Sequence, residues 1–222
     1  MKRPQAMIFD MDGTLFKTET LLIPATARLF ARLQNEGLYD GPVPTNEAML
    51  SSLGMLLDDI WKRVIPTASD EARARANELL LEEELAGLQM PGTELYPEVL
   101  ETLTALREQG VKLFVASNGL EHYVNGVADA HGITSLFDGL YSAGGYQTAS
   151  KVDLVRILLE EHGIESAWMI GDRSSDVEAG KHNQLEVIGC LFAGYGQDEE
   201  LKDSDVLINE FRELLPLYEA SK

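Results

Sequence analysis

Beyond residue 95 the chain alternates two textures: short runs of β-branched, aromatic and other apolar residues, and longer stretches whose apolar positions recur every three or four residues. The runs at 7–9, 111–116, 140–142, 167–170, 187–192 and 206–208 read as strands. Helical periodicity covers 97–109, 120–131, 151–163 and 174–183. Pro97 suits a first helical turn, and Gly110 suits a helix end. Strands that alternate with helices in this way predict a parallel sheet with helices packed on it.

Residues 16 to about 90 have a different texture. No strand pattern occurs there; three helical stretches, 18–36, 46–64 and 69–87, are divided by 37–42 and by Ile65-Pro66. The expectation is an α/β fold, a Rossmann-like parallel sheet core flanked by helices, formed by 1–15 and 92–222 and carrying an inserted all-helical unit over 16–91. The return segment from Met90 to Pro97 is rich in turn formers, so the insert should hang on linkers able to bend. Neither an internal repeat nor a low-complexity tract interrupts the pattern.

Composition narrows the function. A chain of 222 residues with 45% apolar content can bury a large core. Its formal charge of −19 repels nucleic acid phosphates and anionic membranes, and no basic cluster exceeds Lys62-Arg63. Cys190 stands alone within an apolar run, so no disulfide framework exists and the thiol reads as a small core residue. The opening Met1-Lys2-Arg3-Pro4 leads into too few apolar residues for a signal peptide, and no run approaches a membrane span. A cytoplasmic protein with neither a membrane nor a nucleic acid polymer as partner is expected; the oligomeric state is not legible.

The candidate chemistry lies where the strands stop. In parallel α/β sheets, ligands bind beyond the carboxyl ends of the strands. The first strand runs into Phe9-Asp10-Met11-Asp12-Gly13-Thr14. In an extended chain, positions two apart point the same way, so Asp10 and Asp12 can face one small volume, where paired charges call for a cation or a retained proton. An Asp-Gly turn with solvated acids is the plainer account of the same letters. After 111–116 come Ser117 and Asn118, which can donate hydrogen bonds to an anion or end the strand in a turn. A Gly-rich segment and Lys151 follow 140–142, and Gly171-Asp172-Arg173-Ser174-Ser175-Asp176 follows 167–170, with Asp172 also suited to cap the next helix. Acids, hydroxyls and a lysine gathered at strand ends suit a phosphate monoester and a hard divalent cation with oxygen ligands, which Mg²⁺ matches.

These residues resemble the four ordered motifs of the haloacid dehalogenase superfamily of phosphohydrolases: Asp10-Met-Asp12-Gly-Thr14, Ser117-Asn118, Lys151, and Gly171-Asp172 through Asp176. The match spans nearly the whole chain. The resemblance implies that Asp10 is the nucleophile that becomes an aspartyl-phosphate and that Asp12 is the general acid and then the base. Thr14, Ser117, Asn118 and Lys151 would bind the substrate phosphate. Mg²⁺ would be held by Asp10, Asp172, the main-chain carbonyl of Asp12 and, directly or through water, Asp176. The helical insert resembles the small mobile cap of that superfamily.

Two departures bear on specificity. Lys17 stands where many cap-bearing members have an acid, and Arg173 where many have Thr or Ser; the latter resembles the nucleotidase and phosphoglycolate phosphatase branches, as does Leu53-Gly54-Met-Leu-Leu57. Gly54 is accordingly a candidate cap loop near the substrate, or else a plain helix break. His122, His131, His162 and His182 lie in helical stretches and are assigned to no metal, while Trp61 and Trp168 read as core. The expected activity is Mg²⁺-dependent hydrolysis of a small phosphorylated metabolite. A phosphomutase with the same nucleophile is the alternative, and a phosphoaspartate signalling module is a more distant one. A dehalogenase would need neither the metal nor Asp12.

Overall fold

The computed structural model describes every residue except Gly54, Leu56 and 195–197, together with the side chains of Asp58 and Asp198. In chain order the elements are β1 (Ala6–Phe9), α1 (Glu19–Asn35), α2 (Asn46–Leu50), α3 (Leu57–Val64), α4 (Asp70–Leu88), α5 (Val99–Glu108), β2 (Lys112–Ser117), α6 (Glu121–Ala130), β3 (Gly139–Ser142), α7 (Ala143–Tyr146), α8 (Lys151–His162), β4 (Ala167–Gly171), α9 (Ser174–His182), β5 (Glu186–Cys190), β6 (Val206–Ile208) and α10 (Leu214–Ala220). The backbone divides into two compact units, one formed by Met1–Phe16 with Leu95–Lys222 and the other by Lys17–Glu94.

The first unit holds one six-stranded sheet in the order β3-β2-β1-β4-β5-β6, every pairing parallel. This is the expected α/β architecture. β1 is central, and its Phe9 stands opposite Val115 of β2 and Ile170 of β4. Because those three strands end in register, the polar residues that follow each emerge along one edge of the sheet. One face packs Ile8, Phe114, Ala116 and Met169 against Leu154 and Leu158 of α8. The strands read as continuous apolar runs because a parallel sheet is covered on both faces; β1 and β4 are buried throughout.

The second unit is all-helical among its described residues. Leu29, Phe30 and Leu33 of α1, Trp61 and Ile65, and Ala76 and Leu79 of α4 share its core. Helix starts are set by side-chain caps: Ser69 Oγ accepts from Ala72 N at 3.1 Å and Thr45 Oγ1 accepts from Ala48 N at 3.1 Å.

Three elements differ from the sequence expectation. The stretch 46–64 is two helices rather than one, because the Ser51 and Ser52 hydroxyls turn back to Ala48 O at 3.3 and 2.7 Å and compete with helix propagation. Gly54, the candidate cap residue, lies outside the described residues. α5 begins at Val99, not Pro97, since Glu98 adopts φ 62°, a left-handed conformation that a helix cannot include. The Gly-rich segment after β3 forms the short α7, capped by Ser142 Oγ accepting from Gly145 N at 3.0 Å. The terminal α10 had no expectation attached to it. No described helix is long and apolar enough to cross a membrane.

Candidate active site

The edge formed by β1, β2 and β4 carries the candidate residues. Asp10 follows β1, and its amide donates to Ile170 O at 2.9 Å, which locks the end of β1 to β4. Its Oδ1 accepts from Met11 N at 2.8 Å and stands 2.9 Å from Lys151 Nζ. Lys151, the first residue of α8, reaches Asp176 Oδ1 at 2.6 Å as well. Lys151 is therefore 3% exposed, and Asp10, Asp172 and Asp176 are 3%, 2% and 0% exposed.

Asp10, Asp172 and Asp176 each offer a carboxylate oxygen, all within 4.8 Å of one another. Three buried acids face one lysine, and their protonation reflects that excess. Burial raises the Asp10 carboxyl, and Asp176 and Asp12 add to the rise against the pull of Lys151, leaving it at about 7. Burial also pushes Asp172 well above the ordinary carboxylate range, reinforced by the charges of Asp10 and Asp176. For Lys151 burial acts downward, but the two carboxylates outweigh it and hold the ammonium charged above its ordinary value.

The three acids are not equivalent. Both oxygens of Asp176 are engaged, Oδ1 by Lys151 and Oδ2 by the Arg173 amide at 3.0 Å. Asp172 does not cap α9; its Oδ1 accepts from Thr14 Oγ1 at 3.1 Å, while its buried Oδ2 has no hydrogen-bond partner. Such an orphaned carboxylate oxygen is costly unless something occupies the space before it. Gly13 leaves that space open: at φ +77° it makes the turn after β1, and a Cβ there would stand 2.3 Å from Asp172 Oδ2. A hard divalent cation fits this donor set, with oxygens only, an excess of negative charge and one oxygen unpaired.

Around this centre the remaining candidates are distributed unequally. Asp12 is half-buried and its Oδ1 accepts a hydrogen bond from the Tyr123 hydroxyl of α6 at 2.5 Å. Ser117 is buried at the end of β2 with its Oγ accepting from Gly119 N at 3.0 Å, and Asn118 follows it in the same turn. Arg173 turns its Nε to Glu200 Oε2 at 3.1 Å. Cys190, at the end of β5, is buried; burial and the charges of Asp172, Asp176 and Asp10 keep its thiol protonated, so it is inert. Trp61 and Trp168 are core residues as expected. Lys62 pairs with Asp59, and Lys17 with Glu94. Sequence reasoning missed Tyr123. Its only local signal is an aromatic on the inner face of a helix that starts just after Ser117-Asn118, which reads as ordinary core.

Residues 7–190 match the family model described as haloacid dehalogenase-like hydrolase, and the chain belongs to that family. A phosphoglycolate phosphatase of Vibrio vulnificus is 30% identical over 204 residues, covering 89% of this chain and 87% of its own. One from Pseudomonas putida is 27% identical over 225 residues, 96% of this chain and 79% of its own. A pyrophosphatase of Listeria monocytogenes is 25% identical, covering 95% and 94%. Among solved structures, a haloacid dehalogenase-like hydrolase of Streptococcus pneumoniae superposes with a TM-score of 0.83 at 21% identity, covering 98% of this chain and all of that one, which supports the fold.

Proposed function

We infer that the protein is a Mg²⁺-dependent phosphatase that hydrolyses a small phosphomonoester through an aspartyl-phosphate on Asp10. That it is a phosphatase of the haloacid dehalogenase family, a phosphoric monoester hydrolase, rests on the family match and on its phosphatase relatives. The observation that carries the reading is the contact of Asp10 Oδ1 with Lys151 Nζ inside the cluster of three buried carboxylates. A carboxylate makes a useful nucleophile toward phosphorus only where its charge and that of the substrate are both compensated.

In the first step an Asp10 oxygen attacks phosphorus, the bond from phosphorus to the ester oxygen breaks, and that oxygen leaves with a proton from Asp12. In the second, Asp12 takes a proton from water, the resulting hydroxide attacks the same phosphorus, and the bond to Asp10 breaks to release phosphate. One residue serves both steps because the second reverses the proton transfer of the first. Lys151, Thr14, Ser117 and Asn118 hold the phosphoryl oxygens as charge moves onto them. Asp10, Asp172 and the Asp12 carbonyl, with Asp176 behind, would hold Mg²⁺, which would supply Lewis-acid compensation of the charge on the phosphate. Phosphoglycolate is the first substrate to try, as the compound named for the relatives. The helical unit then acts as the cap, and the single buried cysteine fits a cytoplasmic setting.

The test is phosphate release from phosphoglycolate, pyrophosphate, nucleotides and sugar phosphates, with Mg²⁺ or EDTA. Release that needs Mg²⁺ and disappears in Asp10→Asn supports the reading. Full activity in Asp10→Asn rejects the nucleophile, and isomerisation of a sugar phosphate without release turns the assignment to a mutase.

A further inference from the structure

Asp12 belongs to the turn after β1, and Tyr123 to α6, 111 residues later. Through their hydrogen bond α6 reaches the proton-transfer group. The phenol ring is 6% exposed and lies on the inner face of α6 with Val124, Val127 and Ala128. A phenol O–H pointed at a carboxylate oxygen is a donor of fixed direction, because the ring that carries it is held by packing. Gly119 contributes to that placement: a Cβ there would lie 3.1 Å from Tyr123 Cδ1, tighter than ordinary contact, so a side chain at 119 would push the ring and its hydroxyl. The turn residue after Ser117-Asn118 thus makes room for a tyrosine four positions on.

General acid catalysis depends on where the proton sits relative to the leaving oxygen. A carboxyl group that rotates freely spends part of its time with both oxygens misdirected. Resting on the phosphatase reading above, we propose that Tyr123 is a positioning residue for the reaction: its hydroxyl, bonded to Asp12 Oδ1, fixes the rotation of the Asp12 carboxyl and so the direction in which Asp12 delivers and later collects its proton. The role assigned to Tyr123 is exerted through Asp12 Oδ1, the acceptor of its hydroxyl.

This separates Tyr123 from a residue that merely fills the core. Tyr123→Phe keeps the ring and its packing and removes one oxygen. Phosphoenzyme formation from an alkyl phosphate, whose leaving oxygen must be protonated, is expected to slow by about 10- to 100-fold. Formation from p-nitrophenyl phosphate, whose leaving group departs as a stable anion, is expected to change by less than about twofold, with KM for both held within about threefold. The measurement is rapid-quench single turnover with Mg²⁺ present. Equal slowing of both esters would mark a structural disturbance and overturn the proposal, as would no slowing of either. A crystal structure of Tyr123→Phe supplies a readout apart from turnover: a reoriented Asp12 carboxyl supports the proposal, and an unchanged one overturns it. The two readings fail separately. An unmutated protein that shows no Asp10-dependent phosphate release removes the phosphatase, whereas normal release with identical ester dependence in Tyr123→Phe removes only the role of Tyr123.

Discussion

Lys151 Nζ stands 2.9 Å from Asp10 Oδ1, and both side chains are almost wholly withdrawn from water. Removing one member of a buried pair leaves the other's charge uncompensated, which costs far more than the net value of the pair. Here the ammonium also compensates Asp176. Lys151→Met should therefore destabilise the protein by about 3–5 kcal/mol and eliminate turnover. Urea unfolding followed at the Trp168 emission, together with a phosphate-release assay, checks both.

Asp172 responds in the opposite sense. Its Oδ2 is buried without a partner, and the charges of Asp10 and Asp176 outweigh those of Arg173 and Lys151 around it. Asp172→Asn relieves that repulsion, so in EDTA the variant should be at least as stable as the unmutated chain. It should lose the stabilisation that bound Mg²⁺ confers, about 2.7 kcal/mol at a metal concentration a hundredfold above Kd. Thermal unfolding with and without Mg²⁺ measures the difference. A drop in stability in EDTA would show that Asp172 holds the apo fold together.

Gly13 is constrained twice over, by φ +77° and by the 2.3 Å approach of Asp172 Oδ2 to the place a Cβ would take. Gly13→Ala should cost about 2–4 kcal/mol, more than the ordinary penalty for a side chain at positive φ, because the clash adds to it. Activity should fall even where the variant remains folded, since relief of the clash displaces Asp172. Circular dichroism melting and turnover at saturating Mg²⁺ separate the two effects.

Glu83 of α4 ties the helical unit to itself, receiving Arg28 Nε at 2.7 Å and Arg32 Nη1 at 2.9 Å from α1. Burial pushes its carboxyl upward, but the bonds from Arg32 and Arg28 outweigh it, so the folded value lies below the ordinary 4.5. A depressed acid contributes stability that is fully present above the unfolded value and is lost as pH falls through the folded one. Glu83→Gln should cost about 1–2 kcal/mol between pH 6 and 8, with the arginines' partial exposure limiting the effect, and the difference should shrink as pH falls below the ordinary 4.5 and vanish once pH is under the depressed folded value. Trp61 fluorescence in a Trp168→Phe background reports on this unit alone.

The sequence by itself determined the architecture and the chemical inventory. Strand and helix periods differ physically, so the parallel sheet and the helical insert were legible from patterning, as were the acids and the lysine that follow the strands. These signals are local, and the local backbone obeys them. The family resemblance rested on the same residues, and the match over residues 7–190 bears it out. The break at 51–52 was illegible because serine hydroxyls that turn back on their own helix look like ordinary polar positions in a periodic string.

Only the tertiary structure decided which charges meet. It buried Lys151 between Asp10 and Asp176, satisfied both oxygens of Asp176, left one oxygen of Asp172 unpartnered, and brought Tyr123 to Asp12. Apart from the local contact of Asp176 with the Arg173 amide, this does not follow from spacing, because parallel strands join neighbours far apart in sequence: Asp10, Lys151 and Asp172 converge only when β1 lies beside β4 with α8 packed across them. Hydrophobic pattern specifies that such elements pack. Side-chain direction and the geometry of each turn then decide which polar groups share the space at the sheet's edge.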